Sequence, residues 1–369
     1  MLTVAVDATP LLGARTGVGA FTAGTLRALA GHPDLALLGY GLTWAGRRQL
    51  AAALPGGVRP IRAPMAAAPL LALWRAMDGP AIEWWSGAVD VVHGTNYVVP
   101  PSRRAARVVT VHDLTPLRFP ELCSPASRAY PALIRRAIDG GAVVHTPTEA
   151  VAAEVVELLG APREQVRFVH YGFDREALTH PGPRPAGPPY VLGLGTVEPR
   201  KDFPGLVRAF DQVAATHPDV ILVIAGPSGW GEAALAAAID GAVHRDRIRR
   251  VGWVPDDQRA TLLAHASVFA YPSVYEGFGL PPLEAMACGV PVVATAVPAV
   301  AEVTAGAARL VGVGDEAGLA AALAEVLDDG EERRRLIVAG RARVGMFTWA
   351  RCADGVAQIY REARARQSS

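Results

Sequence analysis

The sequence predicts an α/β protein built from two doubly wound, Rossmann-like domains that face each other across a cleft. Its 369 residues are more than one ordinary hydrophobic core accommodates. Short β-branched runs alternate with Ala/Leu-rich helical stretches in two successive series, and a proline-rich segment separates the series. Because 51% of the residues are apolar and only 19% are charged, the chain is expected to be well packed.

The first series predicts a domain over residues 1–178. Short apolar strands separated by helices are typical of parallel βαβ units. The predicted strands are Leu2–Val6, Leu35–Tyr40, Val89–His93, Arg107–His112, Ala142–Thr146 and Val166–Val169. The predicted helices include Gly19–Ala30, Ala126–Ile138 and Thr148–Leu159.

The segment THPGPRPAGPP, residues 179–189, holds five prolines and predicts an interdomain hinge, because proline neither continues a helix nor fits a central strand. The second domain is predicted over 190–347. Its strands are Tyr190–Gly195, Val220–Ala225, Ile248–Trp253, Val268–Tyr271, Pro291–Thr295 and Ala308–Val311. Its helices are Phe203–Thr216, Asp256–His265, Pro282–Cys288, Glu316–Leu327 and Glu331–Val344.

The last residues, 348–369, predict a helix Trp349–Arg366 that begins after a capping Thr348. In two-domain folds of this kind, such a helix commonly crosses back to the first domain. We therefore expect it to pack there.

Composition excludes several classes of protein. The formal net charge of +1 gives no basic surplus for nucleic acid. The cysteines Cys123, Cys288 and Cys352 form no C-x-x-C, which favours a reducing compartment without a metal site or a disulfide framework. The start MLTVAVDATP resembles a first strand more than a signal peptide, and no apolar run reaches the roughly 18–20 residues of a membrane span. The expected location is the cytoplasm, with the inner face of the cell membrane as an option.

The stretch PSVYEGFGLPPLEAMACG, from Pro272 to Gly289, leads from a strand into a helix. Gly277 and Gly279 let the backbone approach a ligand, and the helix N-terminus favours an anion such as a phosphate. The carboxylates of Glu276 and Glu284 could accept hydrogen bonds from vicinal hydroxyls of a sugar and a ribose. The alternative is that Glu276 is a surface charge and Glu284 an acid that stabilises the helix dipole.

Other candidate groups also follow predicted strands. Arg200 and Lys201 could neutralise a diphosphate, or they could form a solvated basic turn. The glycine-containing loop from Asp7 to Gly19 could donate amides to phosphate, although it lacks a complete phosphate-binding motif. His112 ends a strand and could point into the cleft, but a lone histidine is more often structural.

Three further residues, His93, Asn96 and Tyr97, end another strand of the first domain. They are candidate contacts to an acceptor, meaning a substrate that would receive a transferred group. The apolar segment Ala63–Trp85 could touch a membrane or a lipid-linked acceptor. Packing of its helices onto the sheet is the favoured interpretation. Neither His93 nor His112 has a second ligand at metal spacing, so we expect no bound metal.

The segment PSVYEGFGLPPLEAMACGVPVVAT is similar to the E-x7-E signature of the retaining family 4 glycosyltransferases, which have the GT-B fold of two Rossmann-like domains. The resemblance continues in LGTVEPRKDFPGLVRAF, VGWVPDDQRATLLAHASVFAYPS and VHDLTPLRFPEL. It runs along nearly the whole chain and is looser in the first domain.

The resemblance implies that the first domain binds the acceptor and the second the donor. Glu284 would hold the ribose and Glu276 the donor sugar, while Lys201 and Arg200 would take the leaving diphosphate. His112 would bond a sugar hydroxyl, or its backbone carbonyl would stabilise positive character at the anomeric carbon. Backbone contacts to the donor are implied for Gly17, Val18, Gly277, Phe278, Gly279 and Leu280.

The sequence departs from the family pattern at Thr196, where many members carry an arginine; Thr196 stays a candidate donor contact. The implied activity is transfer of a sugar, mannose from GDP-mannose as the first hypothesis, to a hydroxyl of a glycan, glycolipid or small molecule. No cofactor beyond the nucleotide-sugar substrate is expected. The alternatives are a nucleotide-sugar epimerase on the same fold and a non-catalytic nucleotide-sugar-binding protein.

Overall fold

The computed structural model describes residues 1–13, 17–123, 127–178, 181–184 and 186–368. It divides into an N-unit, formed by Met1–Phe173 and Phe347–Ser369, and a C-unit, formed by Asp174–Met346. Of the predicted hinge over 179–189, residues 179, 180 and 185 lie outside the described part of the chain. The hinge therefore stays a prediction.

Strands and helices alternate along both units. The strands are β1 Leu2–Asp7, β2 Leu35–Tyr40, β3 Val58–Pro60, β4 Val91–Gly94, β5 Ala106–Thr110, β6 Val143–Thr146, β7 Val166–Phe168, β8 Tyr190–Leu194, β9 Ile221–Ala225, β10 Ile248–Gly252, β11 Val268–Tyr271, β12 Val292–Thr295 and β13 Arg309–Val311. The helices are α1 Gly17–Leu29, α2 Arg47–Ala53, α3 Ala67–Ala76, α4 Glu83–Ser86, α5 Thr115–Arg118, α6 Tyr130–Asp139, α7 Glu149–Leu159, α8 Phe203–Thr216, α9 Glu232–Gly241, α10 Asp256–His265, α11 Leu280–Ala287, α12 Pro298–Thr304, α13 Glu316–Asp328, α14 Gly330–Val344 and α15 Trp349–Ser368.

The N-unit contains a parallel sheet with the strand order β3-β2-β1-β4-β5-β6-β7. Residues of β1 pair on both sides, for example Val4 with Leu37 of β2 and with Val91 of β4. Because the strands run in one direction, their carboxyl ends meet at one edge of the sheet. Ligands of doubly wound sheets bind at this edge.

The C-unit sheet has six strands in the order β10-β9-β8-β11-β12-β13, which repeats the N-unit order without a counterpart of β7. Its neighbouring strands β8 and β11 pair in parallel register, with Leu192 beside Phe269. Both units are therefore doubly wound α/β folds, as the sequence predicted. The strand order reverses between β8 and β11 in the C-unit and between β1 and β4 in the N-unit.

The final helix α15 packs onto the N-unit. Gly24 of α1 lies so close to it that a Cβ there would come 2.2 Å from the Trp349 indole, which only glycine avoids. Thr348 caps the helix as predicted, since its hydroxyl accepts the Arg351 amide at 3.2 Å.

Some elements were missed or misplaced by the sequence analysis. The strand β3 is only three residues long and ends in Pro60, so it gives little periodic signal. The Ala-rich helix α9 and the short helix α12 were also not predicted. The strand β5 ends at Thr110 rather than at His112, which places that histidine in the following loop.

The apolar segment Ala63–Trp85 contributes to the N-unit core through Trp74, which is fully buried and whose indole N–H donates to the Pro80 carbonyl. Trp84 is exposed. Within the described residues, the structure contains no helix with the length and apolar character needed to traverse a bilayer.

Candidate active site

The predicted diphosphate-binding and sugar-binding groups of the C-unit meet at the carboxyl edge of its sheet. Arg200 and Lys201 follow β8 in a short turn of 3-10 helix, Pro199–Lys201. Glu276 lies in the loop after β11, which is the strand next to β8. The pairing of two distant strands therefore brings both cations to one carboxylate.

Glu276 is buried and binds both cations. Its Oε1 lies 2.5 Å from Lys201 Nζ, and its Oε2 lies 2.6 Å from Arg200 Nη1. Arg200 also donates to the Tyr275 carbonyl at 3.2 Å and lies 3.4 Å from Glu198. Charge-assisted bonds of this kind fix the geometry of all the partners. A ligand entering here would meet oriented cations rather than a flexible basic turn.

Electrostatics keeps Glu276 ionised. Burial alone would raise its pKa, but the charges of Lys201 and Arg200 outweigh burial and lower the pKa to about 2. Burial, with the nearby Arg200 charge, lowers the pKa of Lys201, although the pairing with Glu276 opposes this shift. The carboxylate is thus available as a hydrogen-bond acceptor at every physiological pH.

Tyr271, the last residue of β11, completes the cluster. Its hydroxyl accepts from Lys201 Nζ at 3.0 Å, and the same nitrogen lies 4.8 Å from the centre of its ring. The ring is buried, so it holds the lysine stem against the sheet. Sequence analysis missed Tyr271; the available signal was a polar group at a strand end, beside the motif.

The loop after Glu276 leads directly into α11. Residues Gly277, Phe278 and Gly279 are buried, and Leu280 begins the helix half-buried. Gly279 has a φ of +111°, a conformation that side chains strongly disfavour. Prolines at 281 and 282 occupy the first turn, where their missing N–H groups cost no helical hydrogen bond. The backbone is thus shaped to present a helix N-terminus at the edge where Glu276 lies.

Glu284 lies one turn into α11. Its Oε2 pairs with Nη2 of Arg259 from α10, and its side chain is 15% exposed. Arg259 is a second residue that sequence analysis missed, since nothing in its own segment marks it. The pair leaves the second carboxylate oxygen for a ligand hydroxyl.

Thr196, where many family members have arginine, lies half-buried between β8 and the Arg200–Lys201 turn. Gly229 fits closely against it: a Cβ there would approach the Thr196 Cγ2 to 3.2 Å. The Thr196 side chain supplies no charge, and its contact with the donor stays a prediction.

In the N-unit, His112 lies at the carboxyl edge with its ring almost fully buried. Its Nε2 lies 2.7 Å from the Thr95 carbonyl, which only accepts, so Nε2 carries the proton. Its Nδ1 therefore accepts from the Tyr171 hydroxyl at 2.6 Å. Burial lowers the pKa of His112 to about 4, so the ring is neutral at pH 7. Both nitrogens are occupied, which argues against the predicted bond from the ring to a sugar hydroxyl and leaves the backbone carbonyl role.

His93 needs a correction of the same kind. Its ring has no exposed surface, with Nδ1 at 2.7 Å from the Tyr360 hydroxyl and Nε2 at 2.8 Å from Thr110 Oγ1. Thr110 in turn bonds His145 Nδ1 at 2.9 Å. This ring joins helix α15 to the sheet, and its burial argues against the predicted acceptor contact.

The remaining candidates of the N-unit differ in exposure: Tyr97 is buried, whereas Asn96, Gly17 and Val18 are at least partly exposed. Asn96 is half-buried in the loop after β4, and Tyr97 adopts a φ of +61°. Gly17 is exposed and Val18 half-buried at the start of α1, where a phosphate contact was predicted. Nothing in the structure tests that contact. Across the described residues, no group of three or more His, Cys, Asp or Glu side chains is arranged to hold a metal ion.

Comparison with known proteins identifies the family. Residues 16–172 match the family described as glycosyl transferase 4-like domain, and residues 174–343 match glycosyl transferases group 1. The chain belongs to the family 4 glycosyltransferases of the GT-B fold. The predicted resemblance is confirmed over both halves of the sequence.

Relatives of this glycosyltransferase differ in their named substrates. The O-antigen chain mannosyltransferase B of Escherichia coli is 29% identical over 73% of this chain and 74% of that protein. The D-inositol 3-phosphate glycosyltransferase of Mycolicibacterium smegmatis is 32% identical over 76% of this chain and 66% of that protein. The glycogen synthase of Mycobacterium tuberculosis is 32% identical, and the match spans about half of it, 52%.

Solved structures support the fold. Anabaena HepE in complex with UDP and glucose has a TM-score of 0.73 at 18% identity, covering 97% of this chain and 99% of that one. WaaG, a glycosyltransferase involved in lipopolysaccharide biosynthesis, has a TM-score of 0.71 at 16% identity, also over 97% and 99%. At such identities the likeness establishes the GT-B fold alone.

Proposed function

We propose that this glycosyltransferase moves a hexosyl group, with mannose from GDP-mannose as the first candidate, to a hydroxyl of a glycan, glycolipid or small molecule with retention of anomeric configuration. The observation that carries the proposal is the buried cluster of Lys201, Arg200 and Glu276 beside the N-terminus of α11. Two cations held within reach of a helix N-terminus suit a leaving diphosphate. The similarity to the E. coli mannosyltransferase supports mannose.

Donor binding would rearrange this cluster. The diphosphate would take hydrogen bonds from Lys201 and Arg200, which now bind Glu276. Glu276 would then accept from hydroxyls of the donor sugar, and Glu284 from those of the ribose. These two cations would neutralise the diphosphate without a metal, so activity in EDTA should match activity in added magnesium.

The proposed same-face displacement transfers the sugar directly from the phosphate to the acceptor. The bond between the anomeric carbon and the phosphate oxygen breaks, the acceptor oxygen attacks from the same face, and the acceptor proton passes to the leaving phosphate. Backbone amides of Gly277 to Leu280 would stabilise the charge that develops on that phosphate.

The test begins with thermal-shift measurements against GDP- and UDP-linked sugars, since a true donor stabilises the fold by mass action. The donor that binds is then incubated with and without acceptors. Release of nucleoside diphosphate with an α-linked product, seen by the anomeric coupling in NMR, would support retaining transfer from an α-linked donor. An inverted product would refute retention, and an epimerised nucleotide sugar without acceptor would favour the epimerase.

A further inference from the structure

Asp7 occupies the switch point of the N-unit sheet. It ends β1, and the strand order reverses between β1 and its neighbour β4. Doubly wound sheets bind ligands outside the carboxyl ends of the strands at this point. The sequence analysis named Asp7 only as the start of a loop, and the proposed function gives it no role.

The carboxylate of Asp7 is buried, with 2% of the residue exposed. Its Oδ1 accepts from the Thr9 amide at 2.8 Å and from the Thr9 hydroxyl at 2.5 Å. That hydroxyl also accepts the Leu42 amide at 2.7 Å, so Oδ1 is held from a fixed direction. For Oδ2 the described residues provide no hydrogen bond, and none of their cationic side chains pairs with Asp7. Burial raises the pKa of Asp7 to about 6.

An ionised carboxylate on a largely buried residue is stabilised when a hydrogen-bond donor reaches it. A hydroxyl from a bound ligand would be such a donor. An anionic group would not, because two negative charges in a desolvated site repel each other. The chemistry of Asp7 therefore selects for an uncharged, hydroxylated ligand.

Asp7 lies next to the group implied to face the reacting carbon. The Thr95 hydroxyl donates to the Asp7 carbonyl at 2.9 Å, and the Thr95 carbonyl accepts from His112 Nε2 at 2.7 Å. Thr95 therefore bridges Asp7 and His112 by two hydrogen bonds. A ligand bound to Asp7 would reach the edge where His112 lies.

Two aromatic rings line the same region. Tyr97 and Tyr130 stack with centroids 4.8 Å apart and planes 17° apart, and Tyr97 also meets the His112 ring edge-on at 5.4 Å. Burial raises the pKa of the Tyr130 phenol, and the negative charge of the nearby Asp7 raises it further. Tyr130 is half-buried. Aromatic faces with a few placed polar groups are typical of small-ligand sites, and a sugar presents both an apolar face and hydroxyls.

We propose that Asp7 accepts a hydrogen bond from a hydroxyl of the acceptor, and that the acceptor at this position is an uncharged saccharide whose ring lies against Tyr130. This inference rests on the proposed glycosyl transfer and names the acceptor class. It predicts that a sugar phosphate, with its anionic group at this site, is a poor acceptor.

The test uses the full-length protein, the donor found by thermal shift, a panel of methyl glycosides, and the matching 6-phosphates. The wild type should use uncharged glycosides in preference to their phosphates. Asp7→Asn keeps an oxygen for Thr9 and should raise the KM for the acceptor by about tenfold or more, with the donor-induced thermal shift unchanged. Loss of the acceptor hydrogen bond is the reason, since one such bond is worth about 1–2 kcal/mol.

A second variant protects the test against misfolding of Asp7→Asn. Tyr130→Ala removes the stacked ring and should raise the acceptor KM more than Tyr130→Phe, which keeps the ring. If the wild type transfers sugar and neither Asp7→Asn nor Tyr130→Ala changes the acceptor KM, this inference is wrong while the proposed function still holds. If the wild type transfers from no donor, the proposed function fails. Saturation-transfer NMR with the methyl glycosides then decides whether Asp7→Asn loses saccharide binding, and equal binding by both proteins overturns the role of Asp7.

Discussion

The six-stranded sheet of the C-unit repeats the order of the first six strands of the N-unit sheet, but the two sheets carry different chemistry at their carboxyl edges. At the N-unit edge the network around His112 is neutral, with its ring bonded to Tyr171 and Thr95 and its pKa lowered to about 4 by burial. The C-unit edge holds charges, with Glu276 between Lys201 and Arg200 and its pKa lowered to about 2. One topology therefore supports both a neutral network and an ionic one.

The difference shows which property comes from the fold and which from the side chains. A doubly wound sheet supplies an edge where loops and helix N-termini gather, whatever residues they carry. Cations at that edge suit a diphosphate, while buried histidines and hydroxyls suit uncharged hydroxylated ligands. In the proposed reaction, the donor phosphate would therefore bind at the C-unit edge.

Replacement of Lys201 should have the largest effect. Lys201→Ala removes a buried cation from the leaving diphosphate, and kcat/KM should fall about 100- to 1000-fold, as expected for the loss of one oriented charge-stabilising group. The matched control is Arg208→Ala in α8, whose exposed pair with Glu316 should matter little. Equal kcat/KM values for Lys201→Ala and Arg208→Ala would show that Lys201 does not stabilise the leaving diphosphate.

Acid should weaken the N-unit before the C-unit. The pKa values of His112 and His145 are lowered to about 4 and about 3 by burial, so both stay neutral in the folded chain and gain protons on unfolding below pH 6.5. Their stabilisation, present above pH 6.5, is lost as the pH falls towards these values, at a cost of about 2 kcal/mol each at pH 5. Asp7, with its pKa raised to about 6, shifts stability the opposite way by about 1 kcal/mol.

Hydrogen exchange measured at pH 7 and pH 5, corrected for intrinsic rates, locates the change. Protection should fall in β4, β5 and β6, where the buried histidines lie and their summed loss exceeds the opposing shift from Asp7. The pKa of Glu276 is lowered, so its contribution is present above its unfolded value of 4.5 and is lost only as the pH falls towards about 2. Protection lost first around Glu276 would contradict the comparison.

Glu284→Gln should give a smaller effect, confined to donor binding. A carboxylate that accepts ribose hydroxyls contributes to ground-state binding, so donor KM should rise about tenfold with little change in kcat. Glu325→Gln in α13 is the control, because Glu325 pairs with Arg309 on the surface. A fall in kcat without a change in donor KM would place Glu284 elsewhere in the mechanism.

Tyr360→Phe should have the smallest effect. It removes the hydroxyl bonded to His93 Nδ1 at 2.7 Å and should lower the free energy of unfolding by about 1 kcal/mol, with transfer activity retained. Tyr190→Phe is the matched change in the C-unit, where the hydroxyl donates to the Leu262 carbonyl. In hydrogen exchange, Tyr360→Phe should lower protection in the N-unit and Tyr190→Phe in the C-unit. Loss of protection in the same unit for both variants would contradict the placement of these two hydrogen bonds.

The sequence by itself determined the doubly wound fold and the sheet edge at which the candidate site lies. Strand and helix patterns are local, with β8 and β11 each readable from a run of apolar residues. The Glu276–Glu284 motif and the Arg200–Lys201 pair follow those strands directly. Parallel pairing then places both at one edge, because only one arrangement of βαβ units is common.

The tertiary structure alone decided the partners and the protonation of the site. Glu276 and Lys201 are 75 residues apart, His112 and Tyr171 are 59 apart, and His93 meets Tyr360 across 267 residues. Whether a polar side chain faces a ligand or is satisfied inside the protein depends on which distant element covers it. That is why His93, a candidate acceptor contact by sequence, is buried under α15, while Asp7, named only as the start of a loop, is a buried carboxylate at the switch point.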